Sequence, residues 1–171
     1  CEPCMPGSFC PEGASAPLSC AEGTHSTATD LTSADECSPC PAGSACSTGA
    51  TAPTECNPGT FSPAARSVAC ELCQPGEFQP ETNSTSCLPC FDEALGVYCP
   101  SAGTSTPTPC GGGTYSNASG LSSSLQCTSV ESGFYAPTGS KYAEACPESG
   151  FTCPGRAADK VNDPPGSKPI L

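Results

Sequence analysis

The chain has 171 residues, 17 of them Cys, 21 Pro and 18 Gly, while Leu, Ile, Val and Phe together supply only 19, or 11%. So few large apolar side chains cannot offset the conformational entropy lost on folding, so covalent cross-links must stand in for a core, and an ordinary globular enzyme domain is excluded. The net charge of −12 has the wrong sign for nucleic acid, or for anionic lipid bound by phosphate neutralisation.

No stretch approaches 18 consecutive apolar residues, so direct membrane insertion is not expected. No basic and apolar leader opens the chain, which begins at Cys1 inside what proves to be a repeat. It reads as an excerpt from a longer extracellular protein.

Taken in chain order, Cys-x-x-Gly recurs at Cys4 with Gly7, Cys20 with Gly23, Cys40 with Gly43, Cys56 with Gly59, Cys73 with Gly76 and Cys110 with Gly113. Cys90 and Cys146 fit by spacing, the latter with its Gly one place late at Gly150, and position 130 keeps Gly133 but holds Val130. Repeat starts at 4, 20, 40, 56, 73, 90, 110, 130 and 146 define an internal period of about 18 residues, too short to fold alone. The repeats are assigned to 1–154, and 155–171, without Cys and with three Pro, to a linker or the start of another domain.

The fifth residue after each start is Phe9, Phe61, Phe78, Tyr115, Tyr135 and Phe151 in six repeats, and His25, Ala45 and Leu95 in the other three. A Gly two places before an aromatic predicts a tight turn feeding a short strand, with the ring packed over a neighbouring disulfide or the next repeat. The expected fold is small and disulfide-rich: an elongated ladder of short β-hairpin repeats with little or no helix. Nine such repeats at about 10 Å spacing predict a rod near 90 Å, against about 40 Å for a compact domain of this length.

Two kinds of repeat follow from the second Cys. Cys20 to Cys37, Cys56 to Cys70, Cys73 to Cys87 and Cys110 to Cys127 close long loops, whereas Cys4 to Cys10, Cys40 to Cys46, Cys90 to Cys99 and Cys146 to Cys153 close short ones. Short-loop repeats carry Pro17, Pro53 and Pro107 at the place of the absent closing Cys, and proline fixes φ there. The repeat starting at 130 lacks both expected cysteines, with Val130 at its start and Ala143 three residues before the next. A pair lost together implies a pair bonded together, which predicts eight sequential disulfides and leaves Cys1 to an upstream repeat.

Asn57-Pro-Gly-Thr-Phe-Ser62 after Cys56, Gly112-Gly-Thr-Tyr-Ser116 after Cys110 and the linked Cys70-x-x-Cys73 resemble the ephrin-receptor-like cysteine-rich repeats, which look similar to tumour necrosis factor receptor modules. The Ala-Pro, Thr-Pro and Ser-Pro pairs are also similar to algal and protist surface proteins of the mastigoneme type. The resemblance implies a ladder of small hairpins used mainly as an extracellular spacer.

Cys70, Cys73, Cys87 and Cys90 read C-x2-C-x13-C-x2-C, near a zinc ribbon, but this spacing is a by-product of adjacent repeats, and no metal or other cofactor is expected. No helical period surrounds a Cys-x-x-Cys pair, against redox catalysis. His25 stands at the ring position and is read as a stacking ring rather than a base. Asn83-Ser84-Thr85 and Asn117-Ala118-Ser119 are N-glycosylation acceptors inside long loops, so glycans at Asn83 and Asn117 are expected partners.

These observations favour a non-catalytic structural segment of an extracellular filament or stalk, whose protein partners are other copies or neighbouring domains of the same long chain. The alternative, a ligand-binding receptor ectodomain, would need clustered anchors, and the chain has no Trp and only Arg66 and Arg156. The candidate contact patch is Phe91, Leu95, Val97 and Tyr98 in the enlarged Cys90–Cys99 loop. The alternative to an adhesive patch is compensation, in which Phe91 and Tyr98 fill the wider loop and Phe134 and Tyr142 replace the missing link in the repeat without a disulfide.

Overall fold

The computed structural model describes residues 4–147 and 150–162, so the expectation for Cys1 and most of the tail after Asn162 lie outside it. Among the described residues every strand is two residues long, and the strands pair antiparallel as nine hairpins. Ser8–Phe9 pairs with Leu18–Ser19, Thr60–Phe61 with Glu71–Leu72, and Thr114–Tyr115 with Thr128–Ser129. Two single turns of 3-10 helix, Ala34–Glu36 and Ser124–Gln126, are the helical residues described. The ladder of hairpins expected from the Gly and Cys register is the fold of this chain.

Hairpins this short cannot stand alone, and eight of the nine repeats carry their own cross-link, the repeat starting at Val130 being the exception. The bonded pairs are Cys4–Cys10, Cys20–Cys37, Cys40–Cys46, Cys56–Cys70, Cys73–Cys87, Cys90–Cys99, Cys110–Cys127 and Cys146–Cys153, with Cα atoms 5.6–6.1 Å apart. The starting Cys residues from Cys20 to Cys110 have no solvent-exposed surface at all, so the sulfurs occupy the place a core would have.

The chain divides into two compact units, 1–73 with 79–87, and 74–78 with 88–171. In the first, Phe9 packs on Leu31 and the Cys20–Cys37 bridge of the next repeat. The Gly7, Gly23 and Gly43 N–H groups each donate to a carbonyl one repeat on, at Ser26, Cys46 and Ser62, over 2.8–2.9 Å. The Asp30, Gly49 and Arg66 N–H groups donate back to the Cys4, Cys20 and Cys40 carbonyls. The second unit repeats the scheme, with Phe78 on Val97 and Cys90–Cys99, Tyr98 on Leu121 and Cys110–Cys127, Gly113 bonded to Ala136, and Gly120 bonded to Cys90.

Contacts also reach two repeats along. Gly23 and Gly113, at φ 76° and 80°, bring their Cα atoms against the carbonyls of Arg66 and Arg156, where a Cβ would have no room. Those carbonyls belong to a second left-handed residue present in every repeat. It is Gly at 13, 49, 103, 120 and 139, and a side-chain-bearing residue at Asp30, Arg66, Asn83 and Arg156. Short polar side chains tolerate this region better than Arg, so the stacking contact holds Arg66 and Arg156 there against their preference.

The position three residues after the turn Gly explains the two kinds of repeat. It is the bonded Cys10, Cys46, Cys99 and Cys153 in short-loop repeats, and Ser26, Ser62, Gln79, Ser116 and Ala136 in the others, all buried except the half-buried Cys10. In four of the five repeats where the sulfur is absent, a polar side chain ties its own loop, Ala136 being the exception. Ser62 donates to Ser67 Oγ at 2.7 Å, Gln79 donates to the Ser86 carbonyl at 2.7 Å, and Ser26 and Ser116 Oγ accept from the Ala28 and Ala118 N–H groups. These hydrogen bonds satisfy groups that would otherwise be costly to bury.

Two sequence expectations are corrected. In the repeat starting at 90 the hairpin strand is Val97–Tyr98, preceded by Gly96, so the extra residues lie before the turn and Tyr98, not Leu95, holds the ring position. The last hairpin pairs Phe151–Thr152 with Val161–Asn162, and Arg156 N–H donates to the Val130 carbonyl. Repeat structure therefore runs through Asn162 rather than ending at Pro154.

Candidate functional site

The four residues of the candidate patch part company in the fold. Val97 is 3% exposed and sits in the cluster with Cys90 and Cys99, and Tyr98 is half-buried on the Cys110–Cys127 bridge, so both are core. Adjacent strand positions face opposite ways once Gly96 sets the turn, Val97 toward its own Cys90–Cys99 bridge and Tyr98 toward the bridge of the next repeat. Phe91 and Leu95, 41% and 43% exposed, stay at the surface. Lys141 Nζ lies 4.7 Å from the Phe91 ring centroid and donates to the Glu93 carbonyl at 3.0 Å, which fixes the ring against the enlarged loop.

Phe91 shares its surface not with Leu95, Val97 and Tyr98 but with residues outside the Cys90–Cys99 loop. Phe78, Leu88, Pro89, Phe91 and Ser119 line one open apolar groove of about 480 Å³ in the second compact unit. Sequence reading missed Leu88, Pro89 and Ser119. The signal was present in the strand register, because Leu88 pairs with Phe78 across the hairpin immediately before Cys90.

Phe134 and Tyr142 do not compensate for the missing disulfide, since both side chains are exposed. The link is replaced by Val130, which is buried, and by Tyr135, whose hydroxyl donates to the Glu144 carboxylate directly across the strand pair. That hydrogen bond, then burial, then the charges of Glu144 and Asp159 hold the Tyr135 phenol above its ordinary value near 10, while the Lys160 ammonium lies 5.8 Å from the ring. A raised folded value means the neutral phenol stabilises the fold below about pH 10, and that contribution is lost as pH rises through the folded value. Ring-proton NMR of Tyr135 should show its deprotonation above pH 10, moving back toward 10 in Glu144→Gln. An unchanged midpoint in that variant would remove Glu144 as the cause.

His25 occupies the ring position of its repeat beside the Cys40–Cys46 bridge, with its Nδ1 buried and without a hydrogen-bond partner. His25, Cys40 and Cys46 bring their ligand atoms within 4.8 Å of one another, but both sulfurs are spent in a disulfide and offer no thiolate to a metal. Cys70, Cys73, Cys87 and Cys90 belong to three separate bridges.

The two sequons are not equivalent. Asn83 is the left-handed residue of its repeat at φ 55°, its N–H donates to the Cys56 carbonyl at 2.9 Å, and its Oδ1 lies against Gly43. Asn117 is exposed, and its side chain is in no hydrogen bond with a described residue. Glu36, on an outer loop, caps Ala34–Glu36 by accepting from Thr32 and Ser33, and these bonds hold its carboxyl below the usual range. Gln126 takes the same place before Cys127, accepting from the Ser122 N–H, so the cap is structural rather than chemical.

Comparison with protein-family models and with curated proteins found no match to this chain. The eight bridges require an oxidising compartment, and no described helix is long and apolar enough to cross a membrane.

Proposed function

We propose that the chain is a non-catalytic structural segment of an extracellular filament or stalk, a disulfide-stapled spacer of the kind that ephrin-receptor-like repeats provide. The observation that carries this reading is how the buried groups are used. Rings lie on the next repeat's disulfide, turn amides bond to the next repeat's carbonyls, and turn glycines seat against carbonyls two repeats on. Conserving spacing between repeats is what such contacts do, and each is satisfied within the chain. Its protein partners are neighbouring domains of the same long chain or further copies of it.

Solution scattering and electron microscopy of the oxidised chain test the reading. The expected particle is a rod near 90 Å long, from nine repeats at about 10 Å each. A compact particle of about 40 Å would refute the spacer role.

A further inference from the structure

We propose that the apolar groove of the second compact unit is the seat of an N-linked glycan carried by Asn117. Three observations meet there. Ser119, the hydroxyl residue of the acceptor Asn117-Ala118-Ser119, is itself part of the groove lining. Asn117 is two residues away, at most about 7 Å along the backbone, and its amide makes no hydrogen bond among the described residues. The remaining lining, Phe78, Leu88, Pro89 and Phe91, is apolar and open to solvent, a surface on which the C–H face of a sugar ring can pack.

The chemistry of the occupant fits. An N-acetylhexosamine presents C–H bonds on one ring face and an acetamide methyl, which pack on aromatic faces as other apolar edges do, while its hydroxyls stay in water. Lys141 already lies against the Phe91 ring, which limits the side-chain freedom left to lose when a sugar settles on it. Attachment follows the usual acceptor reaction with a lipid-diphosphate oligosaccharide donor. The Asn117 Nδ2 lone pair forms the bond to sugar C1, the C1–O bond to the diphosphate breaks with its electron pair leaving on the lipid diphosphate, and one amide proton is released. Nothing is oxidised or reduced. Asn83 lacks such a seat, being bound into the stack at Gly43 and Cys56.

The inference rests on the extracellular reading only for the native cell, since a eukaryotic secretion host supplies the donor in the test. A failed rod measurement would leave it untouched. Peptide mass spectrometry of the secreted chain should find the glycan on Asn117. Oxidative labelling should then find Phe91 protected in the glycosylated chain and labelled in Asn117→Gln, and the acetamide methyl of the first sugar should show an upfield ring-current shift that Phe91→Ser abolishes. An unmodified Asn117 beside a modified control sequon overturns the proposal. So does equal labelling of Phe91 with and without the sugar. If the sugar-free chain dimerises in sedimentation and Phe91→Ser returns it to monomer, the groove belongs to a second copy and the proposal fails.

Discussion

Replacing Gly113 by Ala should destabilise the second compact unit by about 2–5 kcal/mol, of which ~1–2 kcal/mol is the cost of a side chain at φ 80° and ~1–3 kcal/mol the displacement of the Arg156 carbonyl. The comparison that isolates the second term is Gly133→Ala. Gly133 has φ 87° but nothing within 4 Å of where its Cβ would stand, so it should lose only about 1–2 kcal/mol. Amide exchange of Gly113 and Val130, which are bonded to Ala136 and to Gly113 respectively, reads the difference directly. Each 1.4 kcal/mol of lost protection is roughly a tenfold faster exchange. Equal acceleration in the two variants would mean that contacts two repeats apart do not stabilise the stack.

Restoring the absent cross-link should have a comparable effect in the opposite direction. Val130 and Ala143 occupy the positions that are bonded cysteines in long-loop repeats, and both line one hollow together with Tyr115 and Phe134. Val130→Cys with Ala143→Cys would close a loop with 12 intervening residues, stabilising by up to about 3 kcal/mol on the chain-entropy estimate. Loss of two mass units, absence of free thiol and a higher denaturation midpoint are the expected results. Val130→Cys alone should lower stability slightly, because a buried valine is lost without a bond gained. Free thiols in the folded double variant would show that this repeat has abandoned the geometry of its neighbours.

The cysteine register was legible because two constraints coincide in it: a Gly that must be left-handed and a sulfur that must lie beside it. The joint substitution at Val130 and Ala143 then gave the connectivity that spacing alone could not. The repeat starting at 90 misled the reading for a physical reason. An insertion before a turn leaves both flanking cysteines in place, so counting from Cys90 landed on Leu95 while the hairpin counts from Gly96. The second left-handed position escaped notice because only five repeats spell it Gly, and Asp30, Arg66, Asn83 and Arg156 disguise the rest. The groove was legible only in part for a different cause. Phe78 and Leu88 pair across one hairpin, but Ser119 comes from the repeat starting at 110, and no periodicity along the chain announces a surface that stacking creates.

Sequential pairing has a mechanical consequence. The eight bridges span, in sequence separations that total 90, more than half of the 158 Cα steps between Cys4 and Asn162. Under tension those loops carry no load, since force passes through the sulfur bond and bypasses the enclosed residues. At about 3.4 Å per extended residue, a fully pulled oxidised chain reaches roughly 280 Å, and the reduced chain roughly 540 Å. Tensile strain that would unravel an unlinked polypeptide thus meets a covalent stop at about half the distance, and the slack beyond that stop is released only by a reductant.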